Sequence, residues 1–420
     1  MIDDVTFLAD DASEFSGSTI CVAASSFDGF ELKKDILIMK NRGLSSLMCL
    51  GLLFALPASC ALATDYPVTV TDLAGRSVEI AREPQRIVMQ DGRDLFSLAL
   101  LDRADPFKRI VVWNNIIARS DKQAWKVFES QWPQTANQAV DMKFGDEGQV
   151  NLEQIVAAKP DLVIVQARVK QVLDDANVTA RLKELGVPVV MIDTQVDPAA
   201  DAPKTVALLG KVLNREKEAK EFTDFYAEHL SGLEKAIAGA PKPKVFVEAK
   251  AGQKGLDSCC FTHGDVFFGK LAQAAGGINL GSTLLKERTG DVAMENVIAA
   301  APDVFVMSGS PFTNDSSVSP PLGFTADRAR IGAALNALER RPGFEHIKAV
   351  TDGRVIGLYH QLYASPWNIY AIEYMAKSFY PDRLKSLDPE ATLHTLVSTM
   401  TDLPKDTPLT FGVQAPAVHP

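Results

Sequence analysis

The chain has 420 residues, room for two domains, and 46% of them are hydrophobic, enough to fill buried cores. A formal charge of −10 without any basic block argues against nucleic acid as a partner. Five cysteines are present, and their placement excludes a disulfide framework once the leader is considered.

Residues 1–38 show no periodic pattern and put an acidic segment ahead of a leader. They read as a start codon assigned too early, with a disordered extension as the alternative. Met39 then opens a secretory signal over 39–63: Lys40 and Arg42, an apolar run from Leu47 to Ala58, and Ala61-Leu62-Ala63 before a cut. The run is too short to span a bilayer. Acylation of Cys60 is the rival reading, disfavoured by Pro57 where such signals carry leucine. Cutting after Ala63 leaves Thr64 as first residue. Four basic and eight acidic residues depart, so the charge falls from −10 to −6. Cys21, Cys49 and Cys60 leave too, and the remaining Cys259 and Cys260 are adjacent and close no long loop.

From Tyr66 the sequence YPVTVTDLAGRSVEI alternates around Ala74-Gly75 and predicts a β-hairpin. Short apolar runs follow at 86–90, 109–113, 161–166 and 187–193, the pattern of strands covered on both faces. Helical spacing fills the intervals at 94–102, 121–130, 151–159 and 171–185. This alternation implies an α/β lobe over 64–202 with a mainly parallel sheet. Residues 203–240 keep apolar residues at helical spacing and predict one inter-lobe helix of about thirty residues, roughly 45 Å long. GAPKPK ends it. A second α/β lobe occupies 241–385, with strands at 245–249, 303–309 and 354–359 and helices at 264–275, 293–300, 328–338 and 367–379. Residues 386–420 are read as a C-terminal segment with a proline-rich tail.

The lobes share a phrase. NLEQIVAAKPDLVIV at 151–165 is echoed by AMENVIAAAPDVFVM at 293–307, with Glu153 and Glu295, Pro160 and Pro302, and Asp161 and Asp303 in register. Each copy is a helix stopped by Ala-x-Pro and followed by a buried strand. The expected architecture is two similar α/β lobes joined by one long helix.

Taken with VTVTDLAGRSVEIAREPQRIV at 68–88 and GGINLG at 276–281, these features resemble the periplasmic iron-siderophore, haem and cobalamin substrate-binding proteins of ABC importers, the helical-backbone metal receptors. The resemblance covers almost all of 66–385. It implies two Rossmann-like lobes joined by a rigid helix, a ligand cleft between them, small closure on binding, and a monomer that serves a permease dimer and its ATPase. It also implies that Glu153 and Glu295 dock on permease arginines. The transported ligand would be a metal chelate, a ferric siderophore or other iron complex first; haem, cobalamin, a nickel chelate and molybdate remain open. No cofactor is expected to be permanently bound.

In such sheets ligands lie beyond the carboxyl ends of the strands. The loops there carry Arg93, Arg168, Lys250 and Lys254, which suit an anionic ligand, and Trp113, Tyr359, Tyr363 and Trp367, which could stack on an organic one. His263, His360 and Tyr363 are candidate metal ligands. Cys259 and Cys260 admit three readings: a vicinal disulfide, a pair of thiolates for a soft metal, or plain packing. Tyr370 and Tyr374 are assigned to the core of the last helix. An enzyme is the competing class, but no H-E-x-x-H, G-x-S-x-G, P-loop or G-x-G-x-x-G occurs.

Overall fold

The computed structural model describes residues 64–144, 150–312 and 317–416. The expectations for the extension 1–38 and the signal 39–63 lie outside the described residues.

An antiparallel hairpin of β1 (Val68–Thr71) and β2 (Ser77–Ile80) leads into the first lobe. Its sheet consists of β3 (Ile87–Met89), β4 (Ile110–Trp113), β5 (Val140–Asp141), β6 (Leu162–Gln166) and β7 (Val189–Ile192), in spatial order 5-4-3-6-7. All four pairings are parallel. The chain builds outward from β3 to one edge, then restarts at β6 toward the other. The crevice between β3 and β6 is therefore the topological switch point.

The second lobe repeats this plan. Its strands are β8 (Lys244–Glu248), β9 (Phe261–His263), β10 (Ile278–Asn279), β11 (Thr289–Asp291), β12 (Val304–Gly309), β13 (Val355–Tyr359) and β14 (Gly412–Gln414). The sheet order is 10-8-12-13-14, and β9 pairs separately with β11. The switch point falls between β8 and β12. β14 joins antiparallel to β13, so the segment after 385 completes the second sheet; the expected lobe boundary there is corrected.

The shared phrase is structural down to single dihedrals. Helices Leu152–Ala157 and Met294–Ala300 end at Lys159 and Ala301, both left-handed at φ 47° and 48°, directly before their prolines. Asp161 accepts from the Arg86 N–H while donating its own N–H to the Arg86 carbonyl, at 2.8 and 2.9 Å. Asp303 does the same with Lys244, at 2.9 and 2.8 Å. Each aspartate thus zips the start of its strand to the neighbouring one.

The single helix expected over 203–240 is corrected to two: Pro198–Val212, capped by Asp197, and Glu216–Ile237. Asn214 adopts φ 58° between them. A left-handed residue ends a helix, and asparagine tolerates that conformation. The two helices then fold back on each other, bringing Gly210 against Ala219 so closely that a Cβ at 210 would collide with the Ala219 methyl. Pro203 sits inside the first helix and cannot donate to the Ala199 carbonyl. The Tyr226 hydroxyl takes that place, 3.2 Å away, and lies 2.7 Å from Asn368 Oδ1 in the second lobe. The longer helix, about 33 Å at 1.5 Å per residue, remains the backbone of the link.

One hydrophobic core runs through both lobes and a smaller one fills the outer side of the first sheet. Behind the facing loops the lobes share aromatic packing: Phe96 lies edge-on to Trp367 at 5.0 Å, and Phe96 and Phe128 both approach Phe324. Burying one such ring contributes about 1.5–3 kcal/mol.

Candidate functional site

The loops that leave the carboxyl ends of β3, β6 and β7 converge on a buried carboxylate, Asp91. Arg93 grips it in a fork, Nε to Oδ1 at 2.8 Å and Nη2 to Oδ2 at 2.6 Å. Arg168 donates to Oδ2 at 3.1 Å and Gln195 at 2.9 Å. The Arg93 and Arg168 guanidinium groups outweigh desolvation, the largest single influence, and hold the Asp91 carboxyl well below its ordinary range. Asp94, one turn on, is the opposite case. Burial and the Asp91 charge push it up to about 8, so it stays protonated at neutral pH beneath Gln166, whose Nε2 lies 2.8 Å from Oδ1.

Arg93 also reaches across to the second lobe, its Nη1 donating to the Tyr363 hydroxyl at 2.7 Å. A second bridge is buried. Asp121, which caps helix Lys122–Gln131, accepts from the Tyr359 hydroxyl at 2.7 Å and from Ser310 at 3.1 Å. Arg93 and Arg168 were expected as free anion grips; both are engaged with Asp91. Nothing in the sequence set Asp91 and Asp121 apart, although an aspartate two residues before an arginine at a buried strand end is the local signal for the first.

From β8, β9, β12 and β13 come the second lobe's side chains. Tyr363, His360 and His263 do gather: the His360 and His263 rings lie 5.0 and 6.0 Å from that of Tyr363. Ser308 Oγ accepts from the Lys250 N–H at 3.0 Å and shares a hydrogen bond of 2.9 Å with His360 Nδ1. Burial, then the nearby Lys250 charge, push His263 down to about 3; the same causes hold His360 well below the ordinary imidazole range, so both imidazoles are neutral. Neutral imidazole is the form that binds metal. His263 Nδ1 is buried and has no hydrogen-bond partner among the described residues. The rings are nonetheless packed with Phe267, Phe268 and Phe312, and the described residues hold no group of three His, Cys, Asp or Glu arranged for a metal ion.

The aromatic expectations are corrected. Trp113 is 1% exposed and packs edge-on to Phe107 and against Trp125 in the first lobe's core. Trp367, also 1% exposed, packs against Phe96 and Phe411. Neither offers a face to a ligand, because strand β4 and the turn before helix Ile369–Phe379 point them inward. Tyr359 is buried as the Asp121 bridge, and Tyr370 packs in the core as expected. Cys259 and Cys260 are bonded to each other as a vicinal disulfide, joined by a cis peptide. The disulfide borders a small cavity of about 110 Å³ in the second lobe, lined also by Lys250, Lys254, Phe261, Glu248 and Asp291.

Glu153 and Glu295 lie exposed in the first turns of their helices, and neither makes an ion pair among the described residues. Each helix precedes a strand and runs opposite to it. Its N-terminus therefore lies at the same edge of the sheet as the site loops, one glutamate per lobe.

Two switch-point crevices facing one another across a shared interface define a two-lobed binding protein. The solved TroA-like periplasmic binding protein FepB from Veillonella parvula superposes with a TM-score of 0.75 at 25% identity, covering 83% of this chain and 100% of that one. Lower-identity likenesses show the fold alone: molybdate-bound MolA of Haemophilus influenzae (TM-score 0.59, 18% identity, 79% and 97% covered) and the nickel–histidine complex of CeuE from Helicobacter pylori (0.58, 16%, 80% and 96%). Among curated sequences, the uncharacterized ABC transporter substrate-binding lipoprotein YvrC of Bacillus subtilis is 25% identical, over 76% of this chain and 88% of its own length. The periplasmic binding protein family model matches residues 103–362, and the chain belongs to that family.

Proposed function

We propose that this periplasmic binding protein captures an anionic metal chelate, a ferric siderophore or other iron complex, between its lobes and delivers it to an ABC importer. The observation that carries the reading is the charge of the facing loops. Four cations, Arg93, Arg168, Lys250 and Lys254, meet two carboxylates, Asp91 and Asp291, because Asp94 is protonated and Glu248 is engaged by Arg341. A protein of net negative charge gathers cations at the mouth of its site when an anion must enter. Neutral His263 and His360 beside Tyr363 would lie against the chelate's metal centre. Delivery is supported by the matched exposed glutamates, one on each lobe.

Calorimetric titration with ferric catecholate, ferric hydroxamate, ferric citrate, haemin, cobalamin, nickel–histidine and molybdate tests the ligand. An anionic iron chelate should bind tightest, with affinity falling as salt rises. Tight binding of neutral cobalamin alone, indifferent to salt, would overturn the anionic-chelate reading.

A further inference from the structure

Thr64 and Tyr66 are built into the turn between the two helices that link the lobes. The Tyr66 hydroxyl donates to the Val212 carbonyl and the Thr64 hydroxyl to the Lys211 carbonyl, both at 3.0 Å. These belong to the last turn of helix Pro198–Val212, whose carbonyls find no donor within the helix. The Thr64 N–H donates at 3.0 Å to Oδ1 of Asn214, the left-handed residue between the helices. The Thr64 hydroxyl also touches Oε1 of Glu216, in the first turn of helix Glu216–Ile237.

Donors are too few at this spot. While an amide bond joins Ala63 to Thr64, residue 64 offers one N–H and one O–H. Around it stand the Lys211 carbonyl, Asn214 Oδ1 and Glu216 Oε1, three oxygens for two protons. The other carboxylate oxygen, Glu216 Oε2, is buried and has no hydrogen-bond partner among the described residues. Burial raises the Glu216 carboxyl above its ordinary range. No described cation closes on it: Arg215 is held by Asp102 at 2.8 Å, and the Lys211 charge acts from beyond ion-pair distance. A half-buried carboxylate in that state destabilises the fold unless a cation reaches it.

We propose that Thr64 is the processed first residue and that its freed α-ammonium is an internal ligand of Glu216, so that removal of the signal completes the turn linking the lobes. Hydrolysis of the Ala63–Thr64 amide by a signal peptidase breaks the C–N bond with one water. Ala63 leaves as a carboxylate, and the Thr64 nitrogen takes up a proton near neutral pH. The ammonium brings three N–H donors, so with the hydroxyl four donors meet four oxygens. It lies against the carbonyl end of one helix, and its partner carboxylate lies at the amide end of the next; both placements are favoured by the helix dipoles. The inference does not depend on which ligand the protein carries.

The test compares the exported protein with a chain that keeps Ala61-Leu62-Ala63 ahead of Thr64, each with and without Glu216→Gln. Mass analysis should find Thr64 first in the exported protein. Its α-amine should acylate about three- to fivefold more slowly than in Glu216→Gln, the size of one partly screened ion pair, while exposed Lys122 reacts alike in both. In thermal melts the substitution should lower the Tm of the processed chain. It should leave the extended chain equal or higher, because there it removes a desolvated charge that has no partner. A carboxylate that served only its own helix start would shift both chains alike. A start at acylated Cys60 or any residue other than Thr64, an α-amine that acylates equally fast with and without the carboxylate, or equal Tm shifts in the two chains overturns the inference.

Discussion

Asp91 and Asp94 lie three residues apart and titrate in opposite directions. Asp94 has its folded pKa raised to about 8, so between about pH 4 and 8 the native state holds a proton that the unfolded chain has lost. Its contribution therefore favours folding at low pH and declines as pH rises through that window. Asp91, depressed by two arginines, contributes stability above the ordinary carboxylate range and loses it on acidification. Replacing Asp94 with Asn should flatten the fall in stability between pH 5 and 8; urea midpoints across that range measure it, and an unchanged slope would remove Asp94 from the account. At the second bridge, Tyr359→Phe removes the donor that faces a buried carboxylate. It should cost about 1–3 kcal/mol of stability, read from the denaturant midpoint, because Ser310 and the Ala124 N–H at 3.0 Å are left to satisfy Asp121.

The element that departs most from expectation is the link between lobes. Apolar spacing runs through residues 203–240 with no proline after Pro203, so periodicity carries no break. The break is a backbone event at Asn214, and its cause is tertiary: Gly210 lets the second helix pack onto the first at near-backbone contact. Gly210→Val should force the hairpin apart and destabilise by about 1–3 kcal/mol, the range of an overpacked core. A thermal melt within a degree of wild type would show that the close approach is not needed. The matched helix–strand units are the reverse case, since Ala-x-Pro-Asp specifies helix stop, strand start and zipper from residues in one short stretch.

Across the whole molecule the aromatic interface around Phe96, Phe324 and Trp367 joins the lobes into one core. Ligand binding is accordingly expected to leave the small-angle scattering profile unchanged; a clear compaction would mean that this interface shears. Trp113 and Trp367 are sealed inside, so intrinsic fluorescence should respond weakly to ligand. Glu153→Ala with Glu295→Ala should leave chelate affinity within about threefold, since an exposed first-turn carboxylate contributes only ~0.3–1 kcal/mol to its own helix. Uptake by cells should fall strongly, and wild-type uptake would refute the docking role.

Local patterns determined much of this. Strands covered on both faces read as unbroken apolar runs, and the seven runs at 86–90, 109–113, 161–166, 187–193, 245–249, 303–309 and 354–359 all became sheet strands. The duplicated phrase disclosed two like lobes and the placement of both glutamates. Two-residue strands such as Val140–Asp141 and the late strand Gly412–Gln414 left no such trace, because their pairing comes from a neighbour and not from their own period. Side-chain direction was decided by tertiary structure alone. A tryptophan at a strand end and an arginine in the next loop look equally available in sequence, but one turns into the core and the other closes on a carboxylate. Lys250 and Lys254 have no carboxylate within ion-pair distance among the described residues for the same reason: whether a charge finds a partner depends on what the fold brings within a few ångströms of it.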